Sequence, residues 1–395
     1  MAELEIPAHA GELTVEWLTE SLRSGGTIGP GTSVTSFEST PLGEGEGFIG
    51  DLARVTLSYD GAENGAPTSL IAKFPTSLDA NRQIGEMFGL YEHEIRFYNE
   101  LADEVPVRKP AHYFSAMDPA PKAAGVIQAI LNLLPTAVVL KLLGPLGRAG
   151  GSRRFIVLIE DLAPARVGDQ VAGLTVEEAE LALRHLAKMH AHFWNDPRLE
   201  EFDWIVPFNN DSRIQQGLYK QSRTAFVEEF SAILTDRAIE IGEWLVDNGV
   251  ELLDRLTSRP YTLLHGDFRP DNLFFGDGKT DFPLAMIDWQ SPTRGAGPYD
   301  VAYFIGWSIN AEDHGAIDGL IESYHSTLVA NGVTDYSLER CKRDYVLGQV
   351  MVLHRGIFLV GQLDLSHERG QELVQATLKR SLGNLPMVDL DSIFD

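Results

Sequence analysis

The sequence predicts an α+β fold in two parts, and three observations carry that expectation. Short alternating apolar runs, bounded by glycine, proline and polar turns, crowd the chain up to Ile159, whereas helical spacing dominates after Thr175. A strand–polar loop–strand unit, Tyr261 to Gln290, then interrupts the helical part and gathers Asp, Asn and His side chains. Finally, 395 residues with 44% hydrophobic and 23% charged content are ordinary for a globular protein long enough to bury two cores.

Taken in order, Leu13 to Leu22 has the spacing of a short amphipathic helix, with Thr14 placed to cap it. A strand over Thr35 to Pro41 leads into Gly43 to Gly50, and the chain leaves that loop through the alternating run Leu52 to Tyr59. Glycines such as Gly45 and Gly47 let backbone amides approach phosphate oxygens closely. The same residues also suit a plain turn, and Glu44 and Glu46 suit shielding an anion better than gripping it. No Gly-Lys-Ser/Thr follows, so this is not a Walker loop.

After a polar turn at Gly61 to Pro67, the run Ser69 to Phe74 carries Lys73 near its end. Alone, that residue reads as a surface lysine. The next segment, Leu90 to Leu101, places Leu90, Glu94, Phe97 and Leu101 near one helical face. An unpaired buried carboxylate is costly, so Glu94 needs a cation and Lys73 is the natural one, with Glu92 the alternative acid. Further strands are expected at Ala111 to Phe114 and Arg154 to Ile159, the latter running into Glu160-Asp161-Leu162. Between them Ala123 to Leu140 carries no charge and reaches the length of a membrane span. Pro135 divides it, and a single crossing would put Lys73 and Asp267 on opposite sides of a bilayer. An apolar helical insertion is expected instead, packed on the core, covering a cleft or forming a subunit contact. Docking on a membrane or admitting an apolar substrate stays open.

Thr175-Val176-Glu177-Glu178 is a capping box that opens a helix reaching Trp194. His190 and His192, two apart on that helix, point different ways and make a poor metal pair. One long helical region is expected over Ser212 to Asp254. Pro298 begins another helix, where Asp300 either ties down the preceding loop's backbone or complements the helix dipole. Helices over His314 to Asn331, Leu338 to Val360 and Ser366 to Leu382 complete the chain, with Trp307, His314, His354 and Arg355 as candidate lining residues.

The segment HGDFRPDN, His265 to Asn272, followed at hairpin distance by Ile287-Asp288-Trp289-Gln290, resembles the loops of the aminoglycoside/choline kinase-like phosphotransferases, relatives of protein kinases. The IDWQ form, with Glu160-Asp161-Leu162 and E-x-x-F-Y from Glu94 to Tyr98, is most similar to the ecdysteroid kinase-like branch. Leu186 to Trp194 also resembles that superfamily's LHAxxW helix ending. The resemblance covers about Val34 to Leu382. It implies a protein-kinase-like fold: a five-stranded antiparallel sheet with one helix, then a mainly helical lobe, with a cleft between. Residues 1–158 would form the nucleotide-binding lobe, with the apolar insertion at about 118–152, and residues 159–395 the hinge and catalytic lobe.

By the same resemblance Asp267 would face the substrate hydroxyl, Asn272 and Asp288 would hold Mg²⁺, and Lys73 with Glu94 would position ATP phosphates. Gly45 and Gly47 would cover those phosphates, Glu160 and Leu162 would wall the nucleotide pocket, and His265 would pack the loop. Arg269 could neutralise the transferring phosphate or pair with Asp271. The implied activity is ATP-dependent phosphoryl transfer to a small-molecule hydroxyl, on a hydrophobic metabolite such as a steroid-like alcohol. Aminoglycoside or choline-type acceptors remain alternatives, as do GTP in place of ATP and a pseudokinase serving as an interaction module.

Net charge of −25 argues against a nucleic-acid partner. One cysteine, Cys341, excludes an internal disulfide framework and a cysteine zinc cluster. The opening MAELEIPAHAGELTVEW has neither a basic start nor an apolar run, so a cytoplasmic protein is expected, and a homodimer is left open.

Overall fold

The computed structural model describes residues 5–43, 49–61, 65–122, 124–149, 153–360, 368–387 and 389–394. The chain divides into two compact units. Met1–Ala102, Lys109–Pro135 and Lys141–Pro164 form the first, and Asp103–Arg108, Thr136–Leu140 and Ala165–Asp395 the second.

In the first unit, α1 (Val15–Ser24) starts where Thr14 Oγ1 accepts the Trp17 amide at 3.1 Å, the cap expected from the sequence. Strands β1 (Val34–Leu42), β2 (Gly50–Tyr59), β3 (Ser69–Pro75), β4 (His112–Met117) and β5 (Phe155–Glu160) make one antiparallel sheet in the order β1-β2-β3-β5-β4. Alternation sends Val55, Leu57, Leu70, Phe74, Ile156 and Leu158 into a core that Trp17, Leu18 and Leu22 of α1 close. Trp17 meets Phe114 of β4 edge-on at 5.7 Å. Besides the helices expected at Leu13 to Leu22 and over Leu90 to Leu101, the unit holds a helix not expected from the sequence. α2 (Asp79–Met87) ends at Gly89, whose φ of 68° turns the chain into α3 (Leu90–Arg96). α3 packs on β4 and β5 and runs on as a π-helical turn, Phe97–Leu101, where Tyr98 stacks on His112.

The uncharged run lies in two helices, α4 (Ala124–Leu133) and α5 (Thr136–Ala149), separated at Pro135 as the sequence predicts, and α5 continues past it through Lys141 and Arg148. Val126, Ile130 and Leu133 of α4 are exposed. Among the described residues no helix is long and apolar enough to cross a membrane.

The second unit opens with β6 (Arg166–Val167) and α6 (Val176–His192), whose capping box is complete: Thr175 Oγ1 accepts the Glu178 amide and Glu178 Oε2 the Thr175 amide. The helical region expected over Ser212 to Asp254 consists of two helices, α7 (Ser212–Glu229) and α8 (Asp236–Thr257), because Thr235 caps a new start by accepting the Ala238 amide. Four short strands follow: β7 (Thr262–Leu264), β8 (Leu273–Phe275), β9 (Leu284–Met286) and β10 (Thr293–Gly295). Together with β6 they form the sheets β10-β7 and β6-β8-β9. α9 (Pro298–Ser308) is largely apolar and buried along almost its whole length, with Asp300 its one charged residue. α10 (Ile317–Ala330) packs on α6, α11 (Leu338–Val360) on α7, α8 and α9, and α12 (Glu368–Gly383) on α9.

Candidate active site

In the first unit Lys73 lies on a central strand, opposite Leu52 of β2 and Val157 of β5. Its Nζ is 2.6 Å from Glu94 Oε1, and the Glu94 side chain is only 2% exposed. A carboxylate that deep is tolerated because the ammonium meets it. Glu92, the alternative acid, takes Arg153 at 2.9 Å instead. Glu160 accepts the Ala111 amide through its carboxylate and donates its own amide to the Ala111 carbonyl, both at 2.9 Å, while Leu162 is buried. Between them Asp161 receives Arg54 through two nitrogens, at 2.6 and 3.1 Å, and the Ser69 hydroxyl at 2.6 Å. Burial pushes the Asp161 carboxyl up, but the hydrogen bonds from Arg54 and Ser69 outweigh it, leaving it below the ordinary range. Gly45 and Gly47 lie outside the described residues.

In the second unit β7 delivers the chain to His265, whose buried ring lies against Trp289. Its Nε2 meets the Ile287 carbonyl at 3.0 Å and its Nδ1 faces the Asp267 amide at 3.4 Å, so it packs the loop as expected. Gly266 has φ 78°, and a Cβ there would fall 2.0 Å from the Ser291 carbonyl oxygen, which makes glycine obligatory. Asp300 at the start of α9 accepts the His265 amide at 2.7 Å and the Gly266 amide at 3.2 Å, so it is the backbone tie, not merely a dipole complement. His190 adds to that buried centre, with Nε2 3.4 Å from Asp300 and Nδ1 2.8 Å from the Tyr324 hydroxyl.

Asp267 is held on both oxygens. Oδ1 accepts the Tyr303 hydroxyl at 2.7 Å, and Oδ2 accepts Arg269 Nε and Asn272 Nδ2, each at 3.0 Å. Burial pushes this carboxyl up, but the Arg269 charge and the Tyr303 hydrogen bond pull harder, so it sits below the ordinary carboxylate range. Arg269 pairs with Asp271 at 3.3 Å, one of its two expected roles, and also bridges to Asp267 and to Gln170 Oε1 at 2.8 Å.

The β8–β9 hairpin places Leu273 opposite Met286, and the Ile287 amide donates to the Asn272 carbonyl at 3.0 Å. Asn272 and Asp288 therefore end neighbouring strands at the same end of the hairpin. Asp288 has φ 65°, a left-handed conformation that aspartate enters more readily than most residues. Asn272 Nδ2 is committed to the Asp267 carbonyl at 2.9 Å and to its carboxylate, which turns Oδ1 the other way. An amide oxygen and a carboxylate from neighbouring strand ends are hard-oxygen donors of the kind a divalent cation takes.

Sequence reasoning missed Tyr303 and Gln170. The signal for Tyr303 was its place one turn after Asp300, on the same buried helix; nothing local marks Gln170. Tyr303 stacks on Trp307 at 4.4 Å, and Arg355 Nη1 reaches the Tyr299 hydroxyl at 3.2 Å. Burial lowers the basicity of Arg355, but the neighbouring Tyr299 and Tyr303 phenols and the Asp267 carboxylate more than restore it. His354 is no lining residue: it is fully buried, stacked on Tyr219 and bonded to Gln216, and burial pushes it down to about 3.

A crystal structure from Ralstonia eutropha JMP134, provisionally described as an aminoglycoside phosphotransferase, is similar at a TM-score of 0.50 and 16% identity, over 94% of this chain and 97% of that one. Choline kinase from Cryptosporidium parvum Iowa II is similar at 0.49 and 11% identity, over 93% and 94%. No curated protein matches the chain. The family model for ecdysteroid kinase-like proteins matches residues 44–333, well over half of the sequence. The fold is that of the protein-kinase-like phosphotransferases, and the chain belongs to the ecdysteroid kinase-like family.

Proposed function

We propose that this chain, a small-molecule phosphotransferase by family, moves the γ-phosphoryl group of ATP to a hydroxyl of a hydrophobic metabolite, with a steroid-like alcohol as the acceptor class. The observation that carries the proposal is the state of Asp267: ionised, fixed on both oxygens, and anchored through a loop whose amides Asp300 holds. Oδ2 accepts two hydrogen bonds and Oδ1 one, so Oδ1 keeps a lone pair for the acceptor hydroxyl. A carboxylate of depressed pKa is a weak base. Its main work is to align the hydroxyl oxygen with phosphorus and take the proton late, which suits a loose phosphoryl-transfer transition state.

Lys73, fixed by Glu94, contacts the nucleotide phosphates, and Asn272 with Asp288 would hold Mg²⁺. Bound Mg²⁺ supplies charge neutralisation on the phosphate oxygens. As the acceptor O–P bond forms, the bond from phosphorus to the bridging oxygen breaks and ADP leaves.

The stacked Tyr303–Trp307 pair, with Tyr303 on Asp267 itself, favours an apolar acceptor. Two guanidinium groups whose charges act on Asp267, those of Arg269 and Arg355, disfavour polycationic acceptors such as aminoglycosides. A pool of hydroxylated steroids, aminoglycosides and choline, incubated with Mg²⁺ and ATP and read by mass spectrometry, tests the reading. A steroid gaining one phosphate, with Mg²⁺ dependence disturbed in Asp288→Ala, supports it. Phosphorylation confined to the cationic acceptors overturns the acceptor assignment.

A further inference from the structure

We propose that Gln170 is a positioning residue for phosphoryl transfer, holding the Arg269 guanidinium on Asp267 and tying it to α12. The proposal rests on the reading of Asp267 as the carboxylate that faces the acceptor.

Gln170 is fully buried, in the stretch between β6 and α6, and all four of its polar groups are used. Its amide donates to Asp271 Oδ1 at 2.9 Å, and its carbonyl accepts Arg380 Nη1 at 2.5 Å. Its side chain accepts Arg269 Nη1 at 2.8 Å on Oε1 and donates through Nε2 to Thr377 Oγ1 at 3.2 Å. The orientation of this amide is determined by its neighbours. Thr377 gives its hydroxyl hydrogen to the Leu373 carbonyl at 2.6 Å, so toward Gln170 its oxygen can only accept. Nε2 must therefore face Thr377, which leaves Oε1, an acceptor, for the guanidinium.

Arg380, buried on α12, fixes the same stretch from the other side. Its nitrogens bond the carbonyls of Gln170 and Val171, the latter at 2.6 Å, and Asn310 Oδ1 at 2.7 Å. The last helix thus sets where Gln170 stands, and Gln170 sets where Arg269 points. Without Oε1, Nη1 keeps only the longer 3.3 Å contact to Asp271, and the guanidinium can swing off Oδ2 of Asp267. Such a loss acts on alignment in the transition state and not on nucleotide binding, because Gln170 touches the carboxylate only through Arg269.

Two variants and two readouts test this. Gln170→Leu keeps the volume and removes the acceptor; Gln170→Glu keeps an oxygen for Arg269. With Mg²⁺, ATP and a pool of hydroxylated steroids, Gln170→Leu should lower kcat about 10- to 100-fold while KM for ATP stays within about 2-fold, and Gln170→Glu should recover several-fold of the loss. In thermal unfolding, Gln170→Leu combined with Arg269→Gln should lower Tm by clearly less than the sum of the single losses. Unchanged kcat in Gln170→Leu, a KM change as large as the kcat change, or additive Tm losses overturns the proposal. If the wild-type protein phosphorylates no steroid, the acceptor assignment falls, and the unfolding cycle still decides whether Gln170 holds Arg269.

Discussion

The Lys73–Glu94 pair and the Asp267 cluster solve the same problem, a buried charge that must stand still, in different ways. Lys73 and Glu94 are placed by regular structure: a central strand and a helix packed beside it bring the side chains to 2.6 Å across a separation of 21 residues. Asp267 sits on irregular backbone, and side chains do the placing. Asp300 holds the loop's amides, Tyr303 and Asn272 hold the carboxylate, and Arg269 is itself held by Asp271 and by Gln170, 99 residues away in sequence. Regular structure gives a position that few remote residues can disturb. A side-chain network gives one that remote residues can disturb readily.

Graded substitutions test that contrast. Lys73→Ala carries the largest expected effect among the supporting residues, a fall in kcat/KM for ATP of about 10²- to 10³-fold in steady-state assays. If the loss is under about 5-fold, the pair is structural and the phosphate role fails. Tyr303→Phe should lower kcat about 3- to 10-fold with ATP affinity unchanged by calorimetry, since one of three hydrogen bonds is lost from a carboxylate still held on Oδ2. A loss as deep as that of Lys73→Ala would make the phenol part of the proton path.

The smallest effect concerns stability. Asp161 has its carboxyl depressed below the ordinary 3.8, so its contribution is fully present above the unfolded-state value and is lost as pH falls through the lower folded value. The Tm gap between wild type and Asp161→Asn should be a few degrees at neutral pH and close below pH 3.8. A gap that widens in acid contradicts the assignment.

Much of this arrangement is legible in the sequence. Lys73 and Glu94 can be paired because a strand-end cation and a helix acid on an apolar face have few other ways to be buried. Asp267, Asn272 and Asp288 stand out because their spacing fits a loop and a hairpin, and Asp300 because its place at the helix start resembles that of the family's buried aspartate. What escapes is contributed from a distance by ordinary residue types. A glutamine in a loop carries no local mark and a tyrosine in an apolar helix only its place one turn after Asp300; their roles exist only once contacts across sequence separations of 99 and 36 have formed. The break between α7 and α8 escapes for a local reason, since Thr235 caps a helix start inside a stretch that otherwise keeps helical spacing.

The central claim is that Asp267 aligns the acceptor for transfer from ATP, and single-turnover transfer by Asp267→Ala tests it most directly. The account predicts a rate at least about 10³-fold below wild type, with nucleotide binding retained. Transfer at the wild-type rate to the same acceptor would contradict it.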